Sequence, residues 1–391
     1  MNYILFAGPF RDNLLPFTFI RPVADLRIGI LTIREKWEMH LKSTTTTVTE
    51  GYLSDKFPMV ELDENVLINA SYLPNNELVG LVKNLQENQA IFRGEDVIAF
   101  FTKAAQEDID FDAFEAIEYD GKVITVTHTW DIFEKNAAAI QEDFELITNG
   151  RESQLISTTN NVIAPHNVFL EEGVIMEFVT LNASKGPIYI GKDAEIMEGA
   201  TIRWPFALCD HSIVKMGTKV YGPTTIGPYS KIGGEVANSV LFAHSNKGHD
   251  GYLGHSVIGE WCNLGADTNN SNLKNNYAEV KIWDYSTESF GRTGLQFCGL
   301  MMGDHSKCGI NTMFNTGTVI GVSANIFGSG YPRNFIPSYS WGGASGFTTY
   351  QTNRAFEVAK MVMSRRNIEF CDMDKAIMNH VFETTRKFRR D

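Results

Sequence analysis

The chain is poor in the features of a secreted, disulfide-stapled or nucleic-acid-bound protein. It holds only five cysteines (Cys209, Cys262, Cys298, Cys308 and Cys371), odd in number and without CxxC spacing. That argues against a disulfide framework and a cysteine-built zinc site, and for free thiols in a reducing compartment. Positive charge is also scarce, with 34 Lys and Arg against 47 Asp and Glu and a formal charge of −13. A nucleic-acid backbone needs a basic surface, so general nucleic-acid binding is excluded; an anionic small substrate stays open where a few cations converge. No uninterrupted apolar run reaches membrane-spanning length. The apolar first residues lack a basic flank and are interrupted by Arg11 and Asp12. The expectation is a cytoplasmic protein with no membrane partner.

What is present is enough apolar material, 43% of 391 residues, for packed cores in more than one domain. Part of it is ordered as a comb. Ile190, Ile196, Ile202, Leu208, Val214, Val220, Ile226 and Ile232 follow at every sixth position. At this apolar share such a run is about a one-in-a-thousand event. Four residues after each tooth stand Ala194, Ala200, Phe206, Ser212, Thr218, Thr224, Ser230 and Val236, small or β-branched except for Phe206. The comb breaks, restarts at Ile258 and Leu264, and resumes as Met302, Cys308, Phe314, Ile320 and Ile326; a fainter run, Val162, Val168 and Val174, precedes it.

A period of six fits neither an α-helix nor a plain strand. It fits short strands with a turn every six residues, coiled so that one aliphatic tooth per turn fills a narrow prism. An ordinary β-sandwich with accidental spacing is the alternative. The break from roughly Ala237 to His255 reads as an insertion, a loop thrown out from the rod and able to carry chemistry.

Residues 1–155 have another texture. YILF (3–6) and NVLINA (65–70) read as buried strands, and STTTTVT (43–49) as a β-branched one. LTIREKWEMHL (31–41) and WDIFEKNAAAIQEDFELI (130–147) read as amphipathic helices, which gives an α/β domain ending in a polar linker, TNGRESQ (148–154). The repeat domain is expected over 156–330. Residues 331–391 supply a Gly/Pro/aromatic loop (328–346) and two helical stretches (347–370 and 373–390) that would cap the rod. Arg386, Lys387, Arg389 and Arg390 would complement a helix C-terminus.

Beginning inside the break and running past it lies SNKGHDGYLGHSVIGEWCNLGADTNNSN (245–272). This stretch resembles the acetyltransferase half of the bifunctional N-acetylglucosamine-1-phosphate uridyltransferase/glucosamine-1-phosphate N-acetyltransferase family. That family carries Lys-x-Gly-His, Tyr-Leu-Gly, Asn-Ile-Gly-Ala-Gly-Thr and a further Asn. Here Lys247, Gly248 and His249 are followed by Tyr252, Leu253 and Gly254, by Asn263, Leu264, Gly265 and Ala266, then by Thr268 and Asn272. Asp267 replaces a glycine, and Leu273 an aromatic residue.

The resemblance implies a left-handed parallel β-helix, acetyl-CoA as donor, a sugar phosphate as acceptor and a homotrimer with active sites between adjacent rods. It makes His249 the catalytic base, with Glu235 orienting or stabilising the ring. Tyr252, Asn263, Asn272 and Lys247 would hold the sugar and its phosphate, and Ala266 the thioester end of coenzyme A. Arg333 in the later loop would meet the coenzyme's phosphates. The chemistry agrees, since an amine attacks a thioester only when unprotonated, and an imidazole titrating near neutrality suits that proton. Lys215, Lys219, Lys231, Lys274 and Lys281 are candidate phosphate partners, with Lys281 the preferred one; most would be solvated. Asn269 and Asn270 read as corner-satisfying residues.

FAGPFRDNLLPFTFIRPVADLR (6–27) is similar to a worn sugar-nucleotidyltransferase signature. Gly8, Arg11 and Arg21 would cradle the phosphates of UTP, but Val23 stands where the signature has lysine. Where that family has Gly-Asp binding Mg2+, this chain has Asn69, Ala70 and Ser71. Four alternatives stay open: a nucleotidyltransferase for another sugar or nucleotide, an acyltransferase for another sugar amine, a zinc enzyme of γ-carbonic anhydrase type using His211, His244 and His249, and a non-catalytic scaffold.

Overall fold

A computed structural model describes residues 1–103 and 109–389. The N-terminal part is a six-stranded sheet of β1 (Asn2–Phe6), β2 (Thr45–Val48), β3 (Asn65–Asn69), β4 (Gln89–Arg93), β5 (Asp96–Thr102) and β6 (Glu115–Glu118), in the order β2-β1-β3-β5-β4-β6. β1 runs parallel to β2 and β3, while β5 is antiparallel to β3 and β4. Helices α1 (Ile33–Leu41), α2 (Gly51–Ser54), α3 (Asn76–Asn84), α4 (Asp131–Glu134) and α5 (Asn136–Thr148) complete this part. The strands and α1 stand where their apolar patterns place them. Thr32 and Glu35 form a reciprocal capping box that starts α1. The single helix expected over 130–147 is divided at Lys135 into α4 and α5.

From Asn161 onward the chain coils as a three-faced parallel β-helix of six-, nine- and ten-stranded sheets. Each regular coil advances eighteen residues, which stacks Ile190, Leu208 and Ile226 in register. All eight teeth of the comb are buried, and so are all eight companions. Each buried aliphatic side chain contributes about 1.5–3 kcal/mol. The small companions have a second task at the tight corners: Ser212 donates to the Gly227 carbonyl at 2.7 Å and accepts from the Ser230 amide at 3.1 Å. Ser230 and Ser245 repeat the pattern on later coils. These buried serine hydroxyls are thus satisfied by the next coil, so a hydroxyl is tolerated where a larger apolar residue would not fit.

Three expectations need correction. The insertion is not at 237–255. Val240–Leu241, Asn246–Lys247 and Tyr252–Gly254 are ordinary rungs, one on each face. The comb loses phase there because this coil is shortened: Leu241 stacks fifteen residues after Ile226, and Ile258 seventeen after Leu241. The true excursion lies between Asn270 and Leu300, where Met302 stacks on Ile258. It carries the antiparallel hairpin Lys281–Asp284/Ser289–Arg292.

The coil also does not end at 330. Phe335–Ile336 and Ser340–Gly343 continue two faces, and Gly346–Thr349 closes the last rung as a hairpin. The Gly/Pro/aromatic segment is therefore framework and not the loop expected from its composition. Finally, helices α6 (Thr352–Ser364) and α7 (Asp372–Thr384) do not simply cap the rod. Arg366, just after α6, donates to the Tyr229 carbonyl on a much earlier coil. In α7, His380 stacks on Tyr52 of α2 at 3.9 Å, and Asp374 pairs with Lys56 at 2.6 Å. Of the four terminal cations, Arg389 bonds the Ser338 and Phe382 carbonyls and Lys387 pairs with Glu288. Arg390 lies outside the described residues.

The N-terminal sheet domain docks on the nine-stranded face through a shared core. Phe17 packs on Phe242 at 5.5 Å, Thr225 donates to the Gly29 carbonyl at 2.9 Å, and Arg21 reaches Asp304. Among the described residues, no helix is long and apolar enough to cross a membrane. The five cysteines are free thiols, four of them buried.

Candidate active site

The corner that carries His249 is built from an unusual tooth. On its face Lys247 takes the inward place that Ile232 holds one coil earlier and is 1% exposed. Its ammonium donates to the carbonyls of His249 at 2.7 Å and Asp250 at 3.0 Å. Burial lowers its pKa to about 8 against the pull of Asp250 and Asp267. At Gly251 φ is +107°, and a Cβ there would meet the Thr268 carbonyl oxygen at 2.2 Å. Only glycine fits this turn. Held on both sides, the His249 side chain is exposed, and its ring has no hydrogen-bond partner among the described residues.

Lys247 is therefore a strut inside the prism, not a substrate ligand. Asn269 and Asn270 are struts too: their side-chain oxygens accept from the amides of Tyr252 at 2.7 Å and Gly254 at 2.9 Å. That is the corner role their sequence context implied.

His249 stands on the wall of a cleft of about 770 Å³ that Asn263 and Ala266 of the motif also line. The other wall is basic. Lys215, Lys231 and Lys307 project from three coils, and Arg365 and Arg366 come from the end of α6. Among the described residues, no Asp or Glu lines this cleft. Burial, then Arg366, Lys215 and Arg365, holds the Lys231 pKa below its ordinary value. The two arginines and Lys307 are functional candidates that the comb and the motif did not single out. The Arg-Arg doublet closing a helical stretch was the available signal, but only the fold brings it to His249.

Around the corner, on the next face, a second group forms. Asn272 contacts the Tyr252 hydroxyl and the His255 Nδ1, each at 2.8 Å. Burial lowers the His255 pKa to about 4, so the ring is neutral and accepts. Glu235 pairs with Tyr252 across neighbouring rungs and accepts from the Tyr221 hydroxyl at 2.6 Å. Among the described residues it makes no ion pair with His249, so orienting that ring is not its task in this chain.

Other expected ligands lie elsewhere. Lys281 sits on the hairpin opposite Arg292 and is not part of the cleft wall. Arg333 lies over Phe347, 5.7 Å from its ring centroid, in a separate recess of about 220 Å³ at the end of the rod. Among the described residues, the histidines of the zinc alternative form no cluster of three that could hold a metal ion. His211, Tyr229, His244 and Trp261 occupy successive corners, all with φ near +60°, and stack with Tyr229 between the two imidazoles at 4.7 and 5.2 Å.

In the N-terminal domain, Gly8 lies so close to Asn69 that a Cβ would be 2.4 Å from its Nδ2. The Asn69 amide bonds the Val97 carbonyl and the Ser71 amide. Arg11 is engaged with Glu50, the Thr18 carbonyl and the Tyr52 hydroxyl. Arg21 is 5% exposed and faces Asp304 and Glu260. Neither guanidinium is free to cradle phosphates. Asn69, Ala70 and Ser71 offer Mg2+ no carboxylate, so these residues do not fit a metal site at this position.

Comparison with known proteins agrees with both halves. Residues 3–152 match the family model of sugar nucleotidyl transferases. The chain is 25% identical over 276 residues to the bifunctional protein GlmU of Methanococcus maripaludis, covering 70% of this chain and 58% of that one. It is 29% identical over 216 residues to a bifunctional sugar-1-phosphate nucleotidylyltransferase/acetyltransferase of Sulfurisphaera tokodaii, covering 54% and 47%. The chain thus spans roughly half the length of these curated relatives. Among solved structures, a UDP-N-acetylglucosamine acyltransferase from Campylobacter jejuni overlaps 61% of this chain and 86% of its own, at 13% identity and a TM-score of 0.27.

Proposed function

We propose that this protein transfers an acetyl group from acetyl-CoA to the amine of a sugar phosphate, with His249 as general base and glucosamine 1-phosphate as the acceptor. The observation that carries this reading is the unengaged His249 ring, fixed at a coil corner on a cleft wall it shares with Asn263 and Ala266. The amine nitrogen attacks the thioester carbonyl and forms the new C–N bond. His249 accepts the amine proton, the C–S bond breaks, and the leaving thiolate is protonated to coenzyme A. Holding amine and thioester together in one cleft supplies the larger part of the acceleration. Asn263, Tyr252 and Asn272 are assigned to the acceptor, and Ala266 to the thioester end. The similarity to bifunctional relatives supports this chemistry.

The reading includes a homotrimer in the cytoplasm. Phe178, Met216 and Ile310 occupy the same prism edge as His249 and are 66%, 69% and 71% exposed, a row of apolar residues suited to a second copy. A second activity, coupling the product to UTP, is favoured by the match over residues 3–152. It would need a divalent cation held elsewhere than at Asn69–Ser71.

The test is His249→Ala assayed by release of free thiol from acetyl-CoA against a panel of amino-sugar phosphates. Acetyl transfer should fall by at least about a hundredfold with the melting temperature unchanged. Unaltered turnover removes His249 from the chemistry. Release of pyrophosphate from UTP, with and without Mg2+, tests the second activity.

A further inference from the structure

The cleft beside His249 holds more positive charge than a sugar monophosphate can match. In a chain of formal charge −13, Lys215, Lys231, Arg365 and Arg366 meet at one cleft that no carboxylate lines among the described residues. None of the four makes an ion pair among the described residues. Lys307 is set apart, because its ammonium donates to the His305 carbonyl at 2.9 Å. Arg366 uses one nitrogen on the Tyr229 carbonyl at 3.1 Å and keeps other donors free. Glu195, two rungs away, draws on Lys231 but does not line the cleft.

Gathering like charges costs folding free energy, and helix-dipole complementarity accounts for Arg365 and Arg366 only, not for the lysines they face. The size argues the same way: at about 770 Å³ the cleft is far larger than one hexose phosphate needs and falls in the range of nucleotide-sized ligands.

We propose that Arg365 and Arg366, brought by α6 against Lys215 and Lys231, form a subsite for a ligand carrying a diphosphate. Two sources share this chemistry: the phosphoadenosine diphosphate end of the acyl donor, or a nucleoside-diphosphate amino sugar as acceptor. In the second case the acceptor is larger than the monophosphate named above. The subsite rests on the acyl-transfer reading only for those two sources; binding of a diphosphate does not require His249. Functionally, α6 becomes part of the site. A guanidinium pair recognises phosphate oxygens in bidentate fashion, and the lysines add point charges.

The experiment is calorimetric binding to the full chain of inorganic pyrophosphate, coenzyme A, UDP-glucosamine and glucosamine 1-phosphate. The proteins are wild type, Lys215→Gln, the double variant Arg365→Gln/Arg366→Gln, and His249→Ala. In the double variant the Kd of pyrophosphate and of at least one nucleotide ligand should rise by about tenfold or more, the loss expected for charge-assisted hydrogen bonds. Glucosamine 1-phosphate should change by less than about threefold, a surface-pair effect. A rise for coenzyme A identifies the donor, and a rise for UDP-glucosamine the acceptor. Lys215 lies on the coil and does not hold α6, so Lys215→Gln must also weaken the same ligand. His249→Ala should bind all four as wild type does, which separates failure of this subsite from failure of the catalytic reading. Unchanged Kd for pyrophosphate and both nucleotides in Lys215→Gln and in the double variant overturns the proposal.

Discussion

The ammonium of Lys247 lies 2.7 Å from the carbonyl oxygen of His249, two residues along the chain. A cation placed where the prism has an aliphatic tooth fixes the backbone that presents the imidazole. Lys247→Met keeps the volume and removes both carbonyl ties. Acetyl transfer should fall by about tenfold to a hundredfold while the coil stays folded, since a small misplacement of a reacting group has that effect. The pH dependence is a second readout. With a folded-state pKa of about 8, below the unfolded value, Lys247 is protonated in both states under pH 8. Between about 8 and 10.5 the unfolded chain holds more protons, so wild type gains stability as pH rises. Relative to Lys247→Met, wild type should gain up to about 3 kcal/mol across that window, measured by urea unfolding. A flat difference would show that the ammonium is not buried in solution.

Glu235 lies on the six-stranded face and His249 at the corner that leads onto its next rung, and the carboxylate is taken by the Tyr221 hydroxyl. Glu235→Gln should leave the pH profile of kcat unchanged and act, if at all, through the acceptor KM by a few fold. A displaced pH profile would instead show that the two groups meet during turnover.

His255 sets an acid limit. Its folded pKa of about 4 lies below the unfolded value, so the unfolded chain takes up a proton first as pH falls. Stability should therefore decline between about pH 6.5 and 4, by up to about 3 kcal/mol. His255→Gln keeps an acceptor for Asn272 and should flatten that decline; equal acid sensitivity in both proteins would contradict the buried neutral ring.

Arg21, which the sequence assigns to phosphate binding, joins the two domains instead. Arg21→Met leaves Asp304, 0% exposed, without its partner. The loss should be about 3–5 kcal/mol of stability, read as a fall in melting temperature. Asp304→Asn in the same background should recover part of it, because the orphaned charge is then gone. Full stability in Arg21→Met would argue that the domains do not dock this way in solution.

Much of this molecule is legible without coordinates. The six-residue comb from Ile190 to Ile232 determines the coil, because only a narrow prism makes every sixth side chain inward, and all of those residues are buried. Strands β1 to β3 and helix α1 follow from apolar period and capping in the same local way. The ordered Lys-Gly-His, Tyr-Leu-Gly and Asn-Leu-Gly-Ala stretches likewise mark out His249, Asn263 and Ala266 as one group.

Tertiary structure alone decided the rest. The shortened coil after Ile226 looks like an insertion in sequence, since a lost phase is the same whether residues are added or removed. Lys247, Arg11 and Arg21 have the composition of ligands and the positions of struts; only burial and partners distinguish the two. Arg365 and Arg366 lie more than a hundred residues from His249, and nothing local predicts that α6 returns to its cleft. Local periodicity fixes how the backbone coils, while which charges face one another depends on contacts between segments far apart in the chain.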